Sequence, residues 1–220
     1  MTSIRSTPYT HVVKERFLPP EVFKDMQALI NARLEDPDQW EYVDDEMQHD
    51  TMRSYYYPDG MGEAVRSDHT LWEESVIRRL YATVLDEEFL NELFGLLRVR
   101  PESTEPIQMR TSMLNMVPGS SIVRHVDFDE ELMRMTRDAV FHVNVVLYLN
   151  DTWNPQWGGE LLLHEGADSG VKPVRYEPTP NRAVLFVSDD TTFHEVTEVA
   201  CPPGTSRKSV MAYMTFAKRP

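Results

Sequence analysis

After about residue 105 the chain becomes a series of short apolar runs, each ended by Pro, Gly, Asn or Asp. They read PIQMRTSMLNMV, SIVRHVDF, AVFHVNVVLYLN, GELLLHE, NRAVLFVS, FHEVTEV and RKSVMAYMTF. Short runs rich in β-branched and aromatic residues, bounded by turn formers, are typical of strands. Because no helix is predicted between these runs, they indicate a β-sandwich or barrel.

The first half of the chain predicts helices that support this β-region. LPPEVFKDMQALINARL carries Pro at its start and apolar residues at helical spacing, and HTLWEESVIRRLYATVL and DEEFLNELFGLL look like two further amphipathic helices. YTHVVKERF has β character, whereas residues 36–68 are polar and read as an irregular segment and candidate lid. We expect an α+β fold in a single domain of residues 1–220, with a mainly helical part at 1–104 and a β-core at 105–220.

The charge and cysteine content of the chain argue against several classes of function. The formal net charge is −14, which disfavours binding to nucleic acid or to an anionic membrane, because both need clustered cations. The single cysteine, Cys201, cannot form an internal disulfide, and no run is apolar enough to span a membrane. We therefore expect a soluble cytoplasmic protein; the sequence does not predict its oligomeric state.

The segment RHVDFDEE contains a candidate pair of metal ligands. On a strand, residues i and i+2 point to the same face, so His125 and Asp127 can converge on one ion. His194 begins a later strand and can supply a third ligand. Two histidines and one carboxylate leave open positions on the metal, as in non-haem Fe(II) oxygenases.

Arg207 opens the last predicted strand, inside an otherwise apolar run. A buried guanidinium needs an anionic partner, and a bidentate carboxylate fits it well. Alternation places Arg207 and Ser209 on one face of this strand. An ion pair at a sheet edge would give the same pattern. A metal-dependent isomerase or dioxygenase of the cupin type would share the barrel but would not need this arginine.

These segments resemble the catalytic domain of Fe(II)/2-oxoglutarate-dependent oxygenases, and most closely the prolyl 4-hydroxylase-like group. The resemblance rests on RHVD, VVLYLNDTWNPQWGGELLLHE, NRAVLFVSDDTTFHEV and RKSVMAYMTF. It implies a double-stranded β-helix, or jelly roll, with N-terminal supporting helices. The implied site residues are the iron ligands His125, Asp127 and His194, and the 2-oxoglutarate contacts Arg207, Tyr148 and Ser209. Asn115 is assigned to the co-substrate as well, because some relatives have a contacting tyrosine in this region.

The resemblance also implies the chemistry. Fe(II), 2-oxoglutarate and O2 would be required, with ascorbate as a candidate reductant. Related halogenases lack the carboxylate ligand, so Asp127 favours hydroxylation, desaturation or cyclisation of an unactivated C–H, with release of succinate and CO2. We favour a small-molecule substrate, such as a free amino acid or a biosynthetic intermediate. A prolyl or other residue of a peptide or protein is the alternative, and a non-catalytic β-barrel binding module is a hypothesis of another class.

Overall fold

The structure is a computed structural model that describes residues 2–35, 41–43, 49–56, 75–127, 139–167 and 170–219. Three α-helices lie in the described part of the first half, α1 (Pro20–Leu34), α2 (Ser75–Val84) and α3 (Glu87–Leu97). The strands are β1 (Thr2–Arg5), β2 (His11–Glu15), β3 (Glu41–Val43), β4 (His49–Tyr56), β5 (Gln108–Met116), β6 (Ile122–His125), β7 (Val140–Tyr148), β8 (Leu161–Leu163), β9 (Val174–Tyr176), β10 (Arg182–Ser188), β11 (His194–Val196) and β12 (Arg207–Ala217).

The strands form two antiparallel sheets. The large sheet has the order β1-β2-β10-β7-β12-β5-β4-β3, and the small sheet has the order β6-β11-β8-β9. One apolar cluster joins their facing surfaces, with Tyr148 and Phe186 from the large sheet and Leu163 and Val196 from the small one. This cluster fills the interior of the jelly roll, as expected for two sheets packed face to face.

The helices cover the other face of the large sheet. Met26 and Ile30 of α1 and Leu90 of α3 are fully buried in a second cluster, together with Met113 and Val210 from the sheet. Alternate residues of β5 and β12 therefore face the helices, and the residues between them face the interior of the jelly roll. This alternation decides which side chains reach the site.

The expected fold class is confirmed: the structure is a double-stranded β-helix with supporting helices. The three predicted helices form, although the first residues predicted for α2 lie outside the described part. One expectation is wrong in part, because residues 41–43 and 49–56 are strands of the large sheet rather than irregular chain. The rest of the candidate lid lies outside the described residues. In the described part, no helix combines the length and apolar character needed to cross a membrane.

Candidate metal centre

His125 and His194 face each other across two paired strands of the small sheet. His125 ends β6, His194 begins β11, and the two residues are register partners. Their ring centroids lie 4.3 Å apart. With Asp127 they form a cluster whose potential ligand atoms all lie within 4.8 Å of one another. The structure thus brings together the three predicted ligands.

The backbone fixes which imidazole nitrogen faces the cluster. Nδ1 of His125 lies 2.8 Å from the carbonyl oxygen of Val123, and Nδ1 of His194 lies 3.1 Å from that of Thr192. A carbonyl oxygen only accepts, so Nδ1 donates in both rings. The Nε2 atoms are then left to bind a metal, which is how metal-ligating histidines are usually oriented.

Asp127 is held by neighbours on the large sheet. The strand β6 ends at His125, so Asp127 lies beyond it, which differs from the predicted shared strand. The amide of Asn144 donates a hydrogen bond to Oδ2 of Asp127, and the hydroxyl of Tyr213 donates to its carbonyl oxygen at 3.2 Å. These two contacts direct the carboxylate toward the histidines without help from strand geometry.

The three groups attract one another strongly. Nε2 of His125 lies 3.3 Å from Oδ1 of Asp127, and Nε2 of His194 lies 3.2 Å from Oδ2. Burial opposes ionisation of Asp127, but the two histidines lower its pKa well below the usual range. Burial likewise opposes charging of His125, yet the Asp127 carboxylate raises the pKa of that imidazole. A divalent cation would replace these protons and supply the same charge balance.

Arg207 is a buried cation among neutral groups. Its side chain is only 1% exposed. Nε donates to the carbonyl of Gly159 at 2.8 Å, and Nη1 lies 3.1 Å from Oγ of Ser209 and 3.4 Å from Sδ of Met116. Among the described residues no carboxylate pairs with this guanidinium, and burial lowers its pKa. Such a charge is costly to bury without an anion, so the pocket is suited to a carboxylate ligand.

Tyr148 lies beside this cation. The Cζ atom of Arg207 is 5.1 Å from the centre of the Tyr148 ring. The Tyr148 hydroxyl is fully buried and has no hydrogen-bond partner within the described part of the chain. Burial raises the pKa of this phenol, although the Arg207 charge opposes the rise. A neutral hydroxyl and a guanidinium therefore lie side by side, and both can donate hydrogen bonds to an anion.

Asn115 does not reach this pocket. It pairs with Lys208 in the register of β5 and β12, on the face that packs against the helices. Met116 pairs with Arg207 and points into the jelly roll instead. The prediction that Asn115 contacts the co-substrate does not fit this register, which places Met116 beside Arg207 instead. Alternation from Arg207 along the paired strand would have indicated this residue.

A two-glycine turn supports the Arg207 pocket. Gly158 and Gly159 have φ values of +64° and +70°. A Cβ atom on Gly158 would lie 2.1 Å from the carbonyl oxygen of Glu198, and one on Gly159 would lie 3.0 Å from Cδ of Arg207. Glycine is required here both for backbone conformation and for close approach. The turn thereby brings the Gly159 carbonyl within hydrogen-bond distance of Arg207.

Sequence comparison finds one family match, in the C-terminal half of the chain. Residues 111–215, just under half of the chain, match the family model of the 2OG-Fe(II) oxygenase superfamily. No curated protein matches the chain significantly by sequence.

Several solved structures share the fold. A prolyl-4-hydroxylase from Pseudomonas putida superposes with a TM-score of 0.61 at 20% identity, covering 96% of this chain and 93% of its own. A prolyl hydroxylase from Trichoplax adhaerens, solved with a hypoxia inducible factor peptide, gives a TM-score of 0.62 at 20% identity, covering 93% and 82%. A viral collagen prolyl hydroxylase from Paramecium Bursaria Chlorella virus-1 gives 0.55 at 14% identity, covering 95% and 96%. At these identities the likeness establishes the fold.

Proposed function

We propose that this chain is a 2-oxoglutarate-dependent dioxygenase that hydroxylates a small molecule at an unactivated C–H, and the match of residues 111–215 to the 2OG-Fe(II) oxygenase superfamily supports this. In this proposal His125, Asp127 and His194 hold Fe(II). Arg207, Tyr148 and Ser209 hold 2-oxoglutarate. The observation that carries the assignment is the buried Arg207 guanidinium. Its partners among the described residues are neutral, and the Tyr148 phenol beside it has no hydrogen-bond partner among them.

The donor set fits Fe(II). Two imidazole Nε2 atoms and one carboxylate form the ligand set typical of non-haem iron oxygenases. Both imidazoles are oriented through Nδ1, and the carboxylate through Asn144. Hydrogen bonds that orient the ligands in advance increase the affinity of such a site for a metal.

The Arg207 pocket fits the distal carboxylate of 2-oxoglutarate. Nη1 and Nη2 can present two parallel N–H donors to a carboxylate, and the Tyr148 hydroxyl can donate a third hydrogen bond. Binding would neutralise the buried charge and satisfy the buried phenol at once. A cupin-type site needs neither group, so their presence supports the oxygenase assignment.

The protein's own residues would bind and orient the ligands and exclude water from the site. Iron and 2-oxoglutarate, when bound, supply the oxidising chemistry that transfers one atom of O2 to the substrate and releases succinate and CO2. Asn144 and Tyr213 hold the Asp127 carboxylate, while Phe186 packs 5.2 Å from the His194 ring. Ascorbate as a reductant remains a prediction.

An anaerobic optical titration tests the assignment. Fe(II) and then 2-oxoglutarate are added to the purified protein, and a weak visible charge-transfer band that needs both is expected. His194→Ala should lose the band, and Arg207→Ala should require a much higher 2-oxoglutarate concentration. Lys208→Ala is the matched control, because this neighbour lies outside the pocket and contacts Asn31. Iron binding without a band would favour the cupin-type alternative, and no iron binding at all would favour a non-catalytic barrel.

The alternative substrate class is a residue of a peptide or protein. The prolyl hydroxylases that share the fold favour it, one of them solved with a peptide. Succinate release in the presence of free amino acids and of end-blocked peptides separates the two classes. A small-molecule hydroxylase responds to the free compounds, and stimulation by peptides alone would refute this part of the proposal.

A further inference from the structure

A row of four side chains crosses the inner face of the large sheet and ends at the metal centre. The register pairs Arg110 with Tyr213, Tyr213 with Asn144, and Asn144 with Phe186. At the far end Asn144 donates to Asp127, and Phe186 packs against His194. Neighbouring strands are about 4.8 Å apart, so the backbone of Arg110 lies about 10 Å from that of Asn144. At this distance the long Arg110 side chain can reach the space beside the triad.

Arg110 is a cation without a carboxylate partner in the described part of the chain. Its guanidinium lies 5.3 Å from the centre of the Tyr213 ring, and its side chain is half-buried. Three other half-buried arginines, Arg79, Arg124 and Arg182, each pair with a carboxylate. In a chain with a net charge of −14, acidic partners are plentiful. A guanidinium that lies over an aromatic ring and pairs with no carboxylate among the described residues is available to a ligand.

The co-substrate is not that ligand. Arg207 pairs with Met116, six residues along β5 from Arg110. At a rise of about 3.4 Å per residue, the two positions are about 20 Å apart along the strand. Arg207 already supplies the buried cation for 2-oxoglutarate in its own pocket. An anion on Arg110 thus belongs to a different molecule, beside the metal centre.

We propose that Arg110, stacked on Tyr213, binds a carboxylate of the primary substrate, and that the substrate is a small carboxylic acid such as a free amino acid. This rests on the proposed function and names its substrate class. The carboxylate is fixed at one end of the row, and the C–H to be hydroxylated is directed toward His125, Asp127 and His194 at the other. Arg110 would then determine specificity for acids over their neutral derivatives.

Three matched pools of compounds test this inference. One contains free L-α-amino acids, the second the same amino acids as primary amides, and the third end-blocked tripeptides. Succinate release above the substrate-free rate is measured, and each pool is also added anaerobically to the Fe(II)–2-oxoglutarate complex to detect a change in its visible band. The acid pool should stimulate turnover and change the band, and the amides should need about 10- to 100-fold higher concentrations, as for loss of a charge-assisted contact.

Variants then locate the contact. Arg110→Gln should raise KM for the active acid about 10- to 100-fold and leave KM for 2-oxoglutarate unchanged, and Arg110→Lys should fall between it and the native protein. Arg175→Gln makes the same charge change at the exposed pair with Glu160 and should have no effect. An intact band in each variant shows that the site is folded.

The inference is overturned if Arg110→Gln binds the acid as well as the native protein does. It is also overturned if amides or end-blocked tripeptides stimulate as strongly as the acids, or if the band forms and no pool changes it. These outcomes leave the iron and 2-oxoglutarate assignments standing. Absence of the band in the native protein would reject those assignments instead.

Discussion

Removing one oxygen atom from Tyr148 should change stability and co-substrate affinity in opposite directions. The hydroxyl is fully buried beside the Arg207 guanidinium, which opposes the rise in its pKa, but no described residue reaches it at normal hydrogen-bond geometry. Desolvation of such a group costs about 1–3 kcal/mol when no bond compensates for it. Tyr148→Phe keeps the ring, its packing and its contact with the guanidinium, so the change isolates the hydroxyl.

Without ligand, the variant should be more stable than the native protein. Relief of about 1 kcal/mol corresponds to a rise in Tm of about 2–4 °C for a domain of this size. With Fe(II) present, affinity for 2-oxoglutarate should fall about 10- to 100-fold, because a hydrogen bond to a charged carboxylate contributes about 1.5–3 kcal/mol. The order of the two Tm values should therefore reverse as 2-oxoglutarate is added.

Anaerobic thermal denaturation with increasing 2-oxoglutarate measures both effects. Tyr176→Phe is the matched control, since its hydroxyl lies 2.5 Å from Nε2 of the buried His11 and is satisfied. Losing that bond leaves the buried Nε2 of His11 without this partner, although Nδ1 keeps the carbonyl of Tyr9, and should lower stability at every ligand concentration. If Tyr148→Phe also lowers the unliganded Tm, and 2-oxoglutarate affinity stays the same, the hydroxyl is an ordinary core group and the reasoning is refuted.

Three further outcomes follow from single contacts. Burial lowers the pKa of His142 to about 4, so between pH 4 and 6.5 the unfolded chain binds more protons, and acidification should lower the unfolding free energy by at most about 3 kcal/mol. In His142→Gln, the unfolding free energy measured with urea should therefore change less with pH across this range. Asn144→Ala removes the amide donor to Asp127 and should weaken Fe(II) binding about 10- to 100-fold. Equilibrium titration measures this affinity, and an unchanged value would contradict the role given to Asn144. Gly158→Ala should destabilise severely because its Cβ would meet a carbonyl oxygen, whereas Gly95→Ala, with open space in α3, should stabilise by about 0.5–1 kcal/mol; equal Tm values would contradict this.

Much of this architecture was accessible from local sequence patterns. The alternating runs after residue 105 predicted the strands of the jelly roll, and α1 and α3 had apolar spacing and terminal residues that read as helices. The candidate triad was accessible only from several features together, because the H-x-D pattern alone is weak and gains support from His194, Arg207 and the flanking segments. The convergence of the ligands was still an inference, and Asp127 reaches the cluster from beyond its strand rather than through strand alternation.

Strand partners could not be predicted so directly. Residues 41–43 and 49–56 read as irregular chain because they are polar and lack strand alternation. They nevertheless extend the large sheet, with β4 paired to β5 and β3 at the edge. The predicted contact of Asn115 does not fit the structure for a related reason. A one-residue change in register moves a side chain to the opposite face, and the register of β5 against β12 is a long-range property.

The same register separates the two proposed binding regions, one for 2-oxoglutarate and one for the substrate. Arg207 and Tyr148 lie at one end of the paired strands β12 and β7, where we propose that they bind 2-oxoglutarate. Tyr213 and Asn144 lie farther along the same strands, where they hold the metal ligand Asp127 from the side on which Arg110 is available. Substitutions at the first end should therefore change 2-oxoglutarate affinity, whereas substitutions in the Arg110 row should change substrate preference. A variant of Arg110 that altered both equally would show that the two ends are not independent, and the substrate assignment would have to be abandoned.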